Sequence, residues 1–121
     1  MILRKGRESD LENVLEIEAM AYKNPYWSQN MFSEVLANKT DKRLWIYEVD
    51  NYVVGFIIDM RHEGEISLLN IAIHKFWQGM GHGLKMLKTY IKSLPGRHSI
   101  YLEVNENNIK ALNMYTKLNF D

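Results

Sequence analysis

Six consecutive residues, Gln78-Gly79-Met80-Gly81-His82-Gly83, are suited to holding an anion. They separate an apolar, β-branched run ending at Ile73 from an amphipathic run beginning at Leu84. Glycine lets the backbone turn sharply and come close to a ligand. The first amides of the helix that follows have no acceptors within that helix, and the macrodipole adds partial positive charge to them. Phosphate or pyrophosphate is the natural guest of such a turn. Taken alone, the same six residues also suit a flexible helix start with no ligand. Lys75, Lys85 and Lys88 flank the turn. They would draw in phosphates, or simply solvate a helix face.

Spacing narrows the nucleotide. The P-loop pattern G-x-x-x-x-G-K-[ST] is absent, which argues against ATP or GTP hydrolysis. The glycines run G-x-G-x-G rather than G-x-G-x-x-G, and a dinucleotide fold places its turn after the first strand. Here strand-like runs already precede it. One feature favours the dinucleotide alternative: Glu103 lies 20 residues beyond Gly83, near the spacing of a ribose-binding acid. Too little chain remains for the rest of that fold. From spacing alone, Glu103 is a solvated carboxylate on a strand, and Tyr115 is a core tyrosine in phase with Ile109 and Leu112. His62, His74, His82 and His98 show no metal-ligand spacing, so no metal is assigned. The sequence contains no cysteine, which excludes disulfides, thiolate nucleophiles and cysteine zinc sites.

The elements that position these residues follow from periodicity. Ile2-Leu3-Arg4 reads as a short strand. Ser9-Asp10-Leu11-Glu12 is a capping-box pattern, followed by Leu11, Val14, Leu15 and Ile17 at helical spacing. Asn24-Pro25-Tyr26-Trp27 breaks that helix, and Ser28 can cap a second one with Met31, Phe32, Val35 and Leu36 on its apolar side. Leu44–Val49 and Tyr52–Ile58 read as strands joined by a tight Asp50-Asn51 hairpin, since both residue types tolerate positive φ. His62-Glu63-Gly64 marks another turn. Ile66–Ile73 then has the apolar second half of a central buried strand. Leu84, Leu87, Ile91 and Leu94 define an amphipathic helix stopped by Pro95-Gly96. Ser99–Val104 reads as a further strand. Ile109, Leu112, Tyr115 and Leu118 mark a last helix capped by Asn107 or Asn108. The order implies a mixed α/β sheet, antiparallel first and then parallel through the Leu84–Leu94 crossover.

Composition sets outer limits. The 121 residues suit one domain, 1–121, and the 46% hydrophobic fraction suits a single core. Lys plus Arg and Asp plus Glu both number 15, and the absence of a basic excess argues against nucleic acid as a partner. No apolar run approaches the roughly 20 residues needed to span a bilayer, and Met1–Lys5 lacks the layout of a secretion signal. A cytoplasmic protein without a membrane partner is expected.

Gln78–Gly83 resembles the Q/R-x-x-G-x-G/A signature of the GNAT acetyltransferase superfamily. Asn70-Ile71-Ala72-Ile73 resembles that family's central strand, which splays from its neighbour. Leu102-Glu103-Val104, followed by Asn108, Ala111, Tyr115 and Phe120, resembles its second motif, with Asn105 where arginine is usual and Asn119 where glycine is usual. Together with Pro25, Trp27, Ser28 and Phe32, these segments resemble the branch of ribosomal-protein alanine N-acetyltransferases and archaeal protein N-terminal acetyltransferases.

The resemblance implies a GNAT-like α/β (α+β) mixed sheet and transfer of acetyl from acetyl-CoA to an amine. The first choice of acceptor is the N-terminal α-amine of a peptide or protein, of the ribosomal-protein type. It implies that backbone groups of Ile71, Ala72 and Ile73 pair with the pantetheine arm. The amides of Gly79, Met80, Gly81, His82, Gly83 and Leu84 would wrap the pyrophosphate, and Asn108 would reach the arm from the last helix. Glu103 is the implied general base and Tyr115 the implied general acid. Tyr26 and Trp27 would line the acceptor groove, or simply pack onto the core. A small-molecule amine acceptor and a non-catalytic acyl-CoA-binding module remain as alternatives. Family members continue into two further strands, and their absence here would leave Ser99–Val104 as an open edge through which two copies could pair.

Overall fold

The computed structural model describes residues 1–23, 25, 27–62, 64–94 and 99–102. The elements in chain order are β1 (Ile2–Lys5), α1 (Leu11–Ala21), α2 (Gln29–Leu36), β2 (Lys42–Val49), β3 (Tyr52–His62), β4 (Glu65–Ile73), α3 (His82–Ser93) and β5 (Ser99–Leu102). The strands form one sheet in the order β1-β2-β3-β4-β5. The first four pair antiparallel, and β5 runs parallel to β4 from Glu65↔Ser99 to Leu68↔Leu102. Antiparallel neighbours need only short turns, whereas the parallel pair needs the α3 crossover. The mixed sheet expected from the sequence is therefore present. The expected last helix, and whatever lies beside the far edge of β5, fall outside the described residues.

Each face of the sheet carries its own core. Tyr47, Ile57, Ile66, Leu68, Ile71 and Ile73 pack against Met86, Leu87 and Tyr90 of α3. Leu44, Ile46, Phe56, Ile58 and Ala72 pack against Val14 and Ile17 of α1 and Phe32, Val35 and Leu36 of α2. The β2–β3 turn is the expected one: Asp50 and Asn51 adopt φ of 51° and 68°. Ser28 caps α2 as expected, its Oγ accepting the Met31 N–H at 3.2 Å. Ser9 does not cap α1. It lies in a 3-10 turn at Glu8–Asp10, and the carboxylate of Asp10 is turned instead toward Arg4 and the N–H of Arg7.

Two irregularities shape the sheet. In β3 the register against β2 slips between Tyr47↔Gly55 and Glu48↔Val53. In β4 the register against β3 slips between Ile58↔Asn70 and Asp59↔Leu68, leaving Leu69 as the extra residue. A bulge of this kind shifts the phase of the strand and re-aims its side chains. Before it, Ile66 and Leu68 face α3; after it, Ile71 and Ile73 do. Leu69 and Asn70 both turn to the α1 side.

The N-terminal strand is tied down by charge. Arg4 donates from Nη1 and Nη2 to the two oxygens of Asp10, each at 2.8 Å, and from Nε to Glu48 at 2.8 Å. Asp10 is 4% exposed and also accepts the Arg7 N–H at 2.7 Å. The bidentate Arg4 guanidinium holds the Asp10 carboxyl below its ordinary value of 3.8, against the upward push of burial. A carboxyl lowered on folding stabilises the fold above that ordinary value, and the contribution disappears as pH falls through the lowered one. Asp10→Asn should therefore cost roughly 2 kcal/mol at pH 7, less than the loss for a fully buried pair. Urea unfolding should show the gap to the unmodified protein closing as the solution is acidified below the ordinary carboxyl value. A gap independent of pH would place the effect elsewhere than the ion pair.

Candidate active site

The site is built where β4 ends and α3 begins. In β4 the hydrogen bond from His74 N–H to Val54 O, at 2.7 Å, sets the alternation against β3. Counting back along the register, Ala72 and Asn70 direct their backbone groups to β3, while those of Ile71 and Ile73 point to the opposite edge. Side chains meet the two carbonyls there: the Tyr22 hydroxyl donates to Ile71 O at 2.6 Å, and Gln78 Nε2 donates to Ile73 O at 2.9 Å. Of the three residues expected from the sequence to pair with a cofactor arm, Ile71 and Ile73 turn their backbone groups away from β3. The peptide groups of Ala72 are committed to the neighbouring strand.

The chain then passes through a 3-10 turn at Lys75–Trp77, capped by His74 Nδ1, which accepts the Phe76 N–H at 3.2 Å. Gly79 and Gly81 follow at φ of 82° and 81°. A Cβ at either position would meet nothing within 4 Å. Glycine is required there for its left-handed backbone and not for space inside the protein. The first helical bond of α3 runs from Lys85 N–H to Gly81 O at 3.1 Å. The amides of His82, Gly83 and Leu84 therefore have no acceptor within the helix and converge at its positive end. Met80 stands 61% exposed between the two glycines, and Lys75, Lys85 and Lys88 are exposed around them. This arrangement can hold a di-anionic group by backbone donors, with lysine charge at its rim.

The direction of α3 is fixed at its other end. Tyr90 donates to the buried Asp59 carboxylate at 2.5 Å, and Trp45 Nε1 donates to the same oxygen at 3.1 Å. Burial pushes the Tyr90 phenol well above its ordinary value, so it stays a donor at any physiological pH. Close contact between layers also needs Gly55. A Cβ there would fall 2.6 Å from Ile73 Cδ1, 2.7 Å from Ala72 O and 3.1 Å from Met86 Sδ. Nearer the turn, Trp77 meets the His82 ring edge-on at 5.3 Å.

On the α1 side the structure assembles a group around Glu18 and Tyr22, which the sequence did not single out. Glu18, 2% exposed, accepts from Asn70 Nδ2 at 3.0 Å and from the Trp27 N–H at 3.3 Å. Asn70 Oδ1 lies 2.9 Å from the Tyr22 hydroxyl. Burial pushes the Glu18 carboxyl above its ordinary value, and the hydrogen bonds from Asn70 and Trp27 oppose that push. One signal could have found this residue. Glu18 falls in phase with Leu11 and Val14, on the face of α1 that must be buried. Trp27 is not a groove residue. Its side chain is buried against Phe32, ring centroids 5.3 Å apart, because a large aromatic just before α2 covers more apolar surface inward than outward. Glu103, Asn108, Tyr115 and Tyr26 lie outside the described residues.

A family model for the acetyltransferase (GNAT) family matches residues 10–120. An uncharacterized N-acetyltransferase of Methanocaldococcus jannaschii is 30% identical over 99% of this chain and 78% of its own length. A ribosomal protein bS18-alanine N-acetyltransferase of Haemophilus influenzae is 34% identical over 99% of this chain and 81% of its own length. Among solved structures, the ribosomal-protein-S18-alanine N-acetyltransferase from Escherichia coli superposes with a TM-score of 0.82 at 26% identity, covering 99% of this chain and 77% of that one.

A backbone anion site at the glycine turn predicts a specific mutational pattern. Gly81→Val places a β-branched residue at φ of 81°, a region it avoids, and should displace the converging amides. Acetyl-CoA affinity by calorimetry should fall more than tenfold, about 1.4 kcal/mol. Gly81→Asn, which tolerates this backbone, should lose less. Equal affinity in a folded Gly81→Val protein would remove the turn from the binding site.

Proposed function

The chain belongs to the GNAT acetyltransferase family, and on that premise we propose that its acceptor is a protein N-terminal α-amine of the ribosomal-protein type. That it is an acetyl-CoA-dependent N-acetyltransferase follows from the family. The observation that carries the cofactor placement is the convergence of two features at one end of the sheet. These are the outward-turned backbone of Ile71 and Ile73, and the amides of His82, Gly83 and Leu84, which have no acceptor within α3. A pantetheine arm would add to β4 as a strand adds to a sheet edge, and a pyrophosphate would sit on the α3 amides. The choice of acceptor is supported by the relatives from Haemophilus influenzae and Escherichia coli, whose names specify a ribosomal-protein alanine.

The chemistry asks little of the side chains. A free α-amine titrates near pH 8, so a base has modest work to do. In this reading Glu103 takes the ammonium proton, the amine nitrogen bonds to the thioester carbonyl carbon, and the carbon–sulfur bond breaks. Tyr115 gives a proton to the departing thiolate, and the acylated nitrogen sheds its second proton, which restores the Tyr115 phenol through solvent. A backbone amide of Ile71 or Ile73 supplies the donor for the oxyanion. Asn108 steadies the arm, and Tyr26 contacts the acceptor.

Thiol release measured with an alanine-starting peptide tests the assignment. Tyr115→Phe and Glu103→Gln should each lower turnover on the order of 10²-fold while leaving acetyl-CoA affinity unchanged. The Glu103→Gln loss should be greatest below the pKa of the amine, where deprotonation is needed. Full activity in both variants would remove proton transfer from these residues. Turnover of small amines with none on peptides would reassign the acceptor, and binding without turnover on any amine would reduce the chain to an acyl-CoA-binding module.

A further inference from the structure

The buried Glu18 carboxylate has no cationic partner among the described residues, although carboxylates are seldom buried unless paired. Its two partners are neutral and belong to different parts of the site, one on β4 and one on the loop before α2. Asn70 Nδ2 lies 3.0 Å from Oε1 and 3.3 Å from Oε2, and the Trp27 N–H lies 3.3 Å from Oε2. Asn70 stands on β4 one residue before Ile71, whose backbone turns away from β3. It reaches Glu18 only because the extra residue Leu69 turns it to the α1 side. Trp27 ends the loop between α1 and α2, the segment that also carries Tyr26. Tyr22, at the end of α1, completes the chain of contacts by reaching Asn70 Oδ1 at 2.9 Å and Ile71 O at 2.6 Å.

We propose that Glu18 is a positioning residue for acetyl transfer, one carboxylate that fixes the α1–α2 loop and the Asn70–Ile71 segment of β4 in a single frame, and so sets where the acceptor amine meets the thioester. This rests on the acetyl-transfer reading of the site and holds for any amine acceptor. The carboxylate is suited to the task because it is acceptor-only and can take both donors at once. A neutral amide offers them one acceptor oxygen in place of two. In Glu18→Gln, one of the two donors, Asn70 Nδ2 or Trp27 N–H, must face the new NH₂ group. The loop and the strand then lose their common anchor, while the glycine turn of α3 is untouched.

The test uses the full chain, with the best acceptor found for the unmodified protein, whether peptide or small amine. Failure of the peptide assignment would thus show in the unmodified protein and leave this comparison intact. Glu18→Gln should raise the acceptor KM on the order of tenfold or more and leave the acetyl-CoA dissociation constant within about twofold. The double variant Glu18→Gln/Asn70→Asp reverses the polarity of the pair. The new amide donates to the new carboxylate, its oxygen accepts the Trp27 N–H, and the Tyr22 hydroxyl keeps an acceptor. It should recover most of the acceptor KM. Tyr22→Phe, which deletes one hydroxyl and endangers the fold least, should shift the acceptor KM in the same direction by a smaller factor. The proposal is overturned if Glu18→Gln or Tyr22→Phe lowers thermal stability while the acceptor KM per folded molecule stays unchanged. It is also overturned if acetyl-CoA affinity falls in parallel with the acceptor KM, or if the double variant folds without recovery.

Discussion

The extra residue in β4 is the constraint on which the arrangement of the site depends. A strand buries alternate residues on alternate faces, and a slip of one residue exchanges the faces. Without Leu69 as a bulge, Ile71 and Ile73 would turn toward α1 and α2, and Asn70 would be driven into the apolar layer under α3. With it, two consecutive residues face α1. The strand then resumes with Ile71 and Ile73 packed on Met86 and Leu87. The same residue that repairs the core therefore delivers a polar side chain to the buried carboxylate of α1.

The layer above the sheet is held to a comparable tolerance. The turn can present three amides in one place only if the α3 axis is fixed, and the fixing contacts lie at the far end of the helix, in Tyr90, Asp59 and Trp45. A hydrogen bond to a buried carboxylate contributes more than one between neutral groups, and it leaves little freedom in the angle of the helix. Gly55 removes the atom that would otherwise separate β3 from Ile73 and Met86. Strand, turn and helix are thus held as one unit.

Much of this was legible in the sequence, and the parts that were not share a cause. The Gly79–Gly83 turn, the Asp50-Asn51 hairpin and the Ser28 cap are local devices, recognisable because residue type dictates backbone geometry at those positions. The β4 bulge leaves no such mark. Leu68, Leu69, Ile71 and Ile73 are all apolar, so the run reads the same in either phase. Glu18 escaped for the opposite reason: a charged residue on an amphipathic helix reads as solvent-facing unless its phase is weighed against its type. Trp27 could be read by chemistry as a groove residue and by packing as a core one; its ring packs in the core while its N–H meets Glu18. Ser9 failed as a cap because Asp10, one residue later, found the stronger partner in Arg4.

The sheet order also repeats the chain order, and that bears on how the molecule assembles itself. The β2–β3 and β3–β4 turns join strands that are adjacent in sequence, so loop closure there costs little and hairpins of this kind form in microseconds. Pairing of β1 with β2 must wait for the chain between them to fold into α1 and α2. Pairing of β5 with β4 must wait for α3. Local pairings of low sequence separation set the pace of folding, so the β2–β3–β4 meander, bulge included, is the earliest scaffold available. On that order β4 can take its phase before α1, α2 and α3 dock, and the helices meet a register already chosen for them.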